Sequence, residues 1–195
     1  MKKLTVLVLL VFSVAAGYQG YVYSGFYKSM ETSEKLAYER EYMQAMSVID
    51  ELRGKTWYRP IAKYAFLDIW EIDKELDYQK GWLLTETGEL AGGYALFERC
   101  SNSSSPVLAS ACLYQQGNIA FYQGSVVTAE NKWKAALAKN PGGHDYDAQV
   151  NLEKLLNQQS KANAAAAEGI RSYRRGRNPN QHLRPPGEQK GAIKP

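Results

Sequence analysis

The sequence predicts an all-α fold built from short antiparallel helix hairpins. Three observations predict it. Apolar residues recur at steps of three or four along several stretches of helix length, the spacing that gathers them on one helix face. No stretch alternates apolar and polar residues convincingly enough to be a strand. One row of small and aromatic residues also occurs twice with identical spacing. With 195 residues, 45% apolar and 23% charged, the chain has room for one ordinary folded domain with appendages.

The N-terminal segment, residues 1–28, carries the clearest local signal. Lys2 and Lys3 precede an unbroken apolar run from Leu4 to Gly17, followed by Tyr18, Tyr21, Tyr23, Phe26 and Tyr27. One reading is a cleaved secretory signal, with the lysines as its charged start and Val14-Ala15-Ala16 as the small residues before cleavage. That would leave a soluble exported protein. The other is a signal-anchor helix from Leu4 to about Tyr23, since about 20 residues span the hydrocarbon core. The five aromatics then form a belt at the far interface, which is the reason to prefer the anchor. Both readings start from an N-terminus in the cytoplasm and send the rest outward; the anchor gives a single-pass protein of the cytoplasmic membrane whose bulk faces the periplasm or exterior.

Residues 29–73 read as a helical hairpin. From Glu31 to Arg53 the stripe is Tyr38, Tyr42, Ala45, Met46, Ile49 and Leu52, and Gly54 ends it. Pro60 suits the first turn of a second helix, striped by Ile61, Ala65, Ile69, Ile72 and Leu76. Gly54 lies 34 residues before Gly88, so residues 40 to 73 are a candidate degenerate repeat.

The repeat itself lies in residues 74–141. Gly81, Gly88, Gly93, Phe97, Cys100 and Ser105 are separated by seven, five, four, three and five residues; so are Gly117, Gly124, Ala129, Trp133, Ala136 and Pro141. The small residues mark close helix crossings, Phe97 and Trp133 the knobs beside them, and Gly88 and Gly124 the turns. This pattern resembles the tetratricopeptide repeat, a helix-turn-helix unit of about 34 residues. The better match runs from Leu113 to Pro141. Gln116 departs from it by standing where the family has leucine, and Gly93 by replacing alanine. Residues 142–160 look like a capping helix, needed because a stack otherwise ends in exposed apolar surface.

The resemblance implies a concave groove lined by the first helix of each unit, which binds an extended peptide or a helix of another protein. On this sequence the groove face would present Tyr78, Gln79, Trp82, Glu86, Tyr114, Gln115, Asn118, Phe121 and Tyr122. Asn118 matches the family's groove asparagine, suited to a partner's backbone amide. The alternative is that several of these rings pack against the N-terminal helices. The basic residues with which some relatives clamp a C-terminal carboxylate are absent. A narrower resemblance covers residues 110 to 159. The membrane segment, the two repeats and the helix carrying Asp147, Ala148, Asn151, Leu152 and Glu153 are similar to accessory proteins encoded beside MoxR-type ATPases and von Willebrand factor A proteins, the MxaK type among them. That resemblance implies a periplasmic assembly or metal-insertion helper acting through protein contacts; no catalytic activity and no cofactor are expected of the chain.

Two cysteines, Cys100 and Cys112, lie in helices expected to pack together. An exported chain can join them; a disulfide would close a loop of about a dozen residues, worth ~3 kcal/mol in the chain-entropy account. The alternative is a reduced core thiol at Cys100.

The net charge of +4 is a property of the tail: residues 171–195 hold seven cations and one anion, leaving the first 170 at −2. No basic face for nucleic acid is therefore expected. Residues 161–195 hold four of the seven prolines and little to bury, and are read as a disordered tail; its Arg171–Arg177 cluster could meet anionic lipid, an acidic protein or RNA, with a plain solubilising tail preferred to all three. Chemistry is sparsely supported. His144 beside Asp145 and Asp147 lacks a second histidine for a zinc site, and reads instead as a capped helix start. His182 falls in the tail, which leaves no nucleophile–histidine set. Gly92-Gly93 lacks the Gly-Lys-Ser of a phosphate loop. The carboxylates Glu71, Asp73 and Asp77 read as solvated charge on acidic helix faces.

Overall fold

The computed structural model describes residues 2–63, 68, 71–141 and 146–176. Among them the chain is all helical: α1 (Lys2–Tyr38), α2 (Tyr42–Gly54), α3 (Tyr58–Lys63), α4 (Ile72–Glu86), α5 (Leu90–Cys100), α6 (Pro106–Tyr122), α7 (Val126–Lys139) and α8 (Tyr146–Gly176). Residues up to Leu152 form one compact unit and those from Glu153 another.

The N-terminal helix is long and apolar enough to cross a membrane, and it does not stop where the apolar run stops. The large side chains from Leu4 to Val14 are exposed. Beyond them a stripe of Val22, Phe26, Met30, Ser33 and Ala37 is buried, stepping four, four, three and four residues along one face. That stripe packs on Ala45, Met46, Ile49 and Leu52 of α2, and on Ile72, Leu76 and Leu83 of α4. The aromatic belt read from the sequence is therefore divided. Phe26 is buried in the core and Tyr18 half-buried, whereas Tyr21, Tyr23 and Tyr27 remain exposed. Helical phase decides this, because residues 22 and 26 share the inward face and 21, 23 and 27 do not.

The helix expected over residues 31–53 is two helices. α1 ends at Tyr38 and the chain reverses through Glu39, Arg40 and Glu41, with Arg40 in the left-handed region at φ 65°. Glu41 N donates to Leu36 O at 2.8 Å and Arg40 N to Ala37 O at 3.0 Å, the bond pair of a Schellman helix end. The apolar stripe runs across this turn without a break in its spacing, which hides it from a periodicity reading. The second expected helix is interrupted as well. Asp68 accepts from Ile72 N at 2.6 Å and Asp73 N at 3.2 Å, and Glu71 takes a left-handed φ of 50°, so α4 starts afresh at Ile72.

Two further hairpins use the turn found at Arg40. Between α4 and α5 Glu89 N donates to Leu84 O at 2.8 Å around Gly88 at φ 87°; between α6 and α7 Ser125 N donates to Ala120 O at 2.8 Å around Gly124 at φ 77°. Glycine adopts this conformation without steric cost. Both hairpins close on the crossings marked by the sequence row. A β-carbon at Gly81 would lie 3.0 Å from Phe97 Cε1, one at Gly93 2.9 Å from Gly81 O, and one at Gly117 2.5 Å from Trp133 Cδ1 and Nε1. Cys100 and Cys112 form a disulfide between α5 and α6, with their Cα atoms 6.0 Å apart. It joins the second hairpin to the third beneath Phe97, Leu108 and Ile119.

α8 extends well past Ser160, where the capping helix was expected to end. Ala164 to Ala167 explain the extension, since alanine has the highest helix propensity of any residue. The tail from Arg177 and the His144–Asp145 pair lie outside the described residues, as does His182.

Candidate functional site

The turn at Arg40 exposes a third copy of the repeated row. Ser33, Arg40, Ala45, Ile49, Leu52 and Trp57 are separated by seven, five, four, three and five residues, as in the two rows further along. The packing agrees with the spacing. Ser33 is buried at the crossing and its Oγ donates to Ala45 O at 3.1 Å; Ala45, Ile49 and Leu52 are buried beside it. The degenerate unit expected around Gly54 is thus displaced: its turn is Arg40, and its first helix is the second half of α1. Arginine in place of glycine and isoleucine in place of the aromatic concealed it.

The first helices of the three hairpins are α1, α4 and α6. Between α1 and α4 lies an open cleft of about 240 Å³ lined by Ser33, Glu34, Ala37, Tyr38, Gln79, Trp82 and Leu83. Of the residues expected on a groove face, Gln79 and Trp82 line it. Trp82 stands edge-on to Tyr42 at 6.4 Å and contributes to both buried clusters, so its indole is a wall held from behind. The cleft is smaller than the ~300 Å³ at which cofactor-sized pockets begin. It has room for one or two side chains. Glu34 borders it, and Glu75 of α4 is held above the ordinary carboxylate range by burial first and by Glu34 second. This end of the cleft is acidic. The wall supplied by α1 was missed in the sequence, although the Ser33 row would have found it.

The other groove residues have different surroundings. Tyr78 packs on Phe97, ring centres 5.8 Å apart. Asn118 is engaged within the fold: its Oδ1 accepts from Trp133 Nε1 at 3.1 Å and from Asn151 Nδ2 at 3.4 Å, and its Nδ2 donates to Gln115 Oε1 at 3.3 Å. Asn151 Nδ2 also donates to Tyr114 Oη at 3.3 Å. These bonds fasten the start of α8 to α6 and hold Trp133 against Gly117. Phe121 lies on Trp133 at 5.7 Å, half-exposed, whereas Tyr122 is 77% exposed and Glu86 is exposed at the end of α4.

The carboxylates read as solvated charge prove to be structural. Asp77 is 1% exposed and receives Arg53 Nη2 at 2.6 Å and Arg99 Nε at 3.0 Å. Both guanidinium groups also reach Asp73 at 3.7 Å, and Tyr58 Oη donates to it. Burial still pushes Asp77 up despite Arg53 and Arg99. Glu71 accepts from Lys74 Nζ at 2.8 Å, from Ser103 Oγ, and from Ser104 N at 2.9 Å. Burial opposes its charge, but these donors outweigh that and hold its carboxyl at about 2. Opposite charges gathered around the buried Asp77 explain what helix-face counting could not: the cluster ties α2, α3, α4 and α5. Among the described residues no group of three or more His, Cys, Asp or Glu side chains is placed to hold a metal ion. Comparison with protein-family models, with curated proteins and with solved structures finds no match to the chain.

Proposed function

We propose that this protein is a membrane-anchored helical-repeat scaffold of tetratricopeptide type that grips a segment of another protein. The observation that carries this reading is the open cleft between α1 and α4, walled by Tyr38, Gln79 and Trp82, in three hairpins that share one row of spacings. Aromatic walls suit an apolar anchor residue, and Glu34 on the cleft's border favours a cation beside it. The partner segment is thus a bulky apolar residue flanked by Lys or Arg. The anchor is the apolar half of α1, with Lys2 and Lys3 on the cytoplasmic side and the hairpins outside. Assembly of a larger envelope complex, without catalysis, is the role such a grip serves.

A photoreactive residue at Gln79, and separately at Tyr122, should cross-link a protein partner in intact cells. A probe at the exposed Lys139 of α7 should not. Equal labelling at all three positions, or none, overturns the reading. A permanent structural subunit is the second reading, favoured by the exposure of Tyr38 (92%), Met43 (70%) and Tyr122 (77%). A subunit purified in detergent without its neighbours should self-associate through those side chains, whereas a recruiter should stay monomeric.

A further inference from the structure

We infer that the turn between α2 and α3, Lys55 to Trp57, with Arg59 at the start of α3, is seated in the phospholipid headgroup layer of the membrane that α1 crosses. The inference rests on the anchor reading above and adds a second contact with the same bilayer. Its ground is a measurement along one helix. A span that begins at Leu4 needs about 20 residues to cross the hydrocarbon core, and so reaches the far border near Tyr23. α1 has no break there; it continues to Tyr38. Hence whatever packs on α1 near residue 23 has its height above the membrane fixed.

Trp57 packs there. Its ring lies against Gly25, where a β-carbon would come within 3.1 Å of Cζ2, and its carbonyl oxygen accepts from Tyr18 Oη at 2.9 Å. Gly25 is two residues past the border, a rise of ~3 Å. The contacts bracket the border from both sides, so the indole is held at the level where tryptophan is enriched in membrane proteins. The surroundings fit that level. Tyr21, Tyr23 and Tyr27 are exposed on other faces of α1, completing with Trp57 an aromatic ring drawn from two segments of the chain. Lys28, Lys55 and Arg59 are exposed around it, cations suited to lipid phosphate. The divided belt thus has its missing part supplied from the turn.

The test uses the full-length protein reconstituted in phosphatidylcholine–phosphatidylglycerol vesicles whose acyl chains carry bromine at shallow or deep positions. Shallow bromine should quench a component of the tryptophan emission more strongly than deep bromine, and Trp57→Phe should lose that component. Lys55→Glu with Arg59→Glu replaces two exposed side chains, the first also giving up its surface pair with Glu51, and should weaken shallow quenching by setting two anions against the phosphates. Equal quenching of wild type and Trp57→Phe overturns the inference. Should Trp57→Phe fail to fold by circular dichroism, undiminished shallow quenching in the double glutamate variant overturns it instead. Alkaline carbonate extraction separates the two ways of failing. Release of the protein from the vesicles removes the span and the inference together, whereas retention with an unquenched Trp57 removes the inference alone.

Discussion

The first hairpin, α1–α2, and the third, α6–α7, reach the same turn from different residues. In the third the crossing is Gly117 under Trp133 and the turn residue is Gly124. In the first the crossing is Ser33 on Ala45, the large residue behind it is Ile49, and the turn residue is Arg40. Each also contains one residue that works against it. The third buries Gln116 completely, with neither Nε2 nor Oε1 paired. The first places an arginine where a left-handed backbone penalises every side chain. The difference teaches that spacing specifies this hairpin more firmly than residue identity. What must be kept is a small residue seven before the turn, a small one five after it and a large one nine after it.

The largest way to break the comparison is Gly117→Leu. The first hairpin tolerates serine at this crossing, but in the third Trp133 already fills the space, so leucine should cost more than about 3 kcal/mol. Thermal unfolding of the purified protein should fall by many degrees; an unchanged midpoint removes the crossing from the account. Gln116→Leu should act oppositely, stabilising by about 2 kcal/mol as two buried unpaired polar atoms give way to an apolar group. Urea titration measures it, and a loss of stability would mean the amide is paired after all. Arg40→Gly sharpens the comparison from the other side. Relief at φ 65° against the greater freedom of the unfolded chain should leave a gain of about 1 kcal/mol, whereas Gly124→Arg should lose a similar amount.

The last prediction is read in acid and concerns the segment between the hairpins. Glu71 has its carboxyl at about 2 in the fold against 4.5 ordinarily, so its contribution is complete above 4.5 and disappears as pH falls toward 2. Glu71→Gln should flatten acid unfolding across that window. Stability of the variant that still falls as steeply there would assign the loss to another carboxylate.

The all-α class, the N-terminal helix and the crossings at Gly81, Gly93 and Gly117 were legible because each has a one-dimensional signature: a run, a period or a spacing. The Arg40 reversal was not, since the 3–4 stripe of Tyr38, Tyr42, Ala45, Ile49 and Leu52 passes through it undisturbed. Neither was the cleft. Gln79 and Trp82 were named from the resemblance, but their facing wall comes from residues 33 to 38, which read as the start of a separate helix running on to Arg53 rather than as the second half of α1. Asp77 shows the same limit for charge. Its partners Arg53 and Arg99 are 24 residues before and 22 after it, and nothing in local composition marks them as neighbours.

The unbroken ladder of α1 has a mechanical consequence. A globular module tied to its anchor by a flexible tether samples many headings, whereas here Leu4 and Ala37 belong to one stiff rod. Turning the lower half about its long axis swings Ser33 and Ala37 through the same angle, and drawing it down by one residue lowers them by ~1.5 Å. Because α2 and α4 pack on its buried stripe, the heading of the hairpins is set by the direction of the apolar rod.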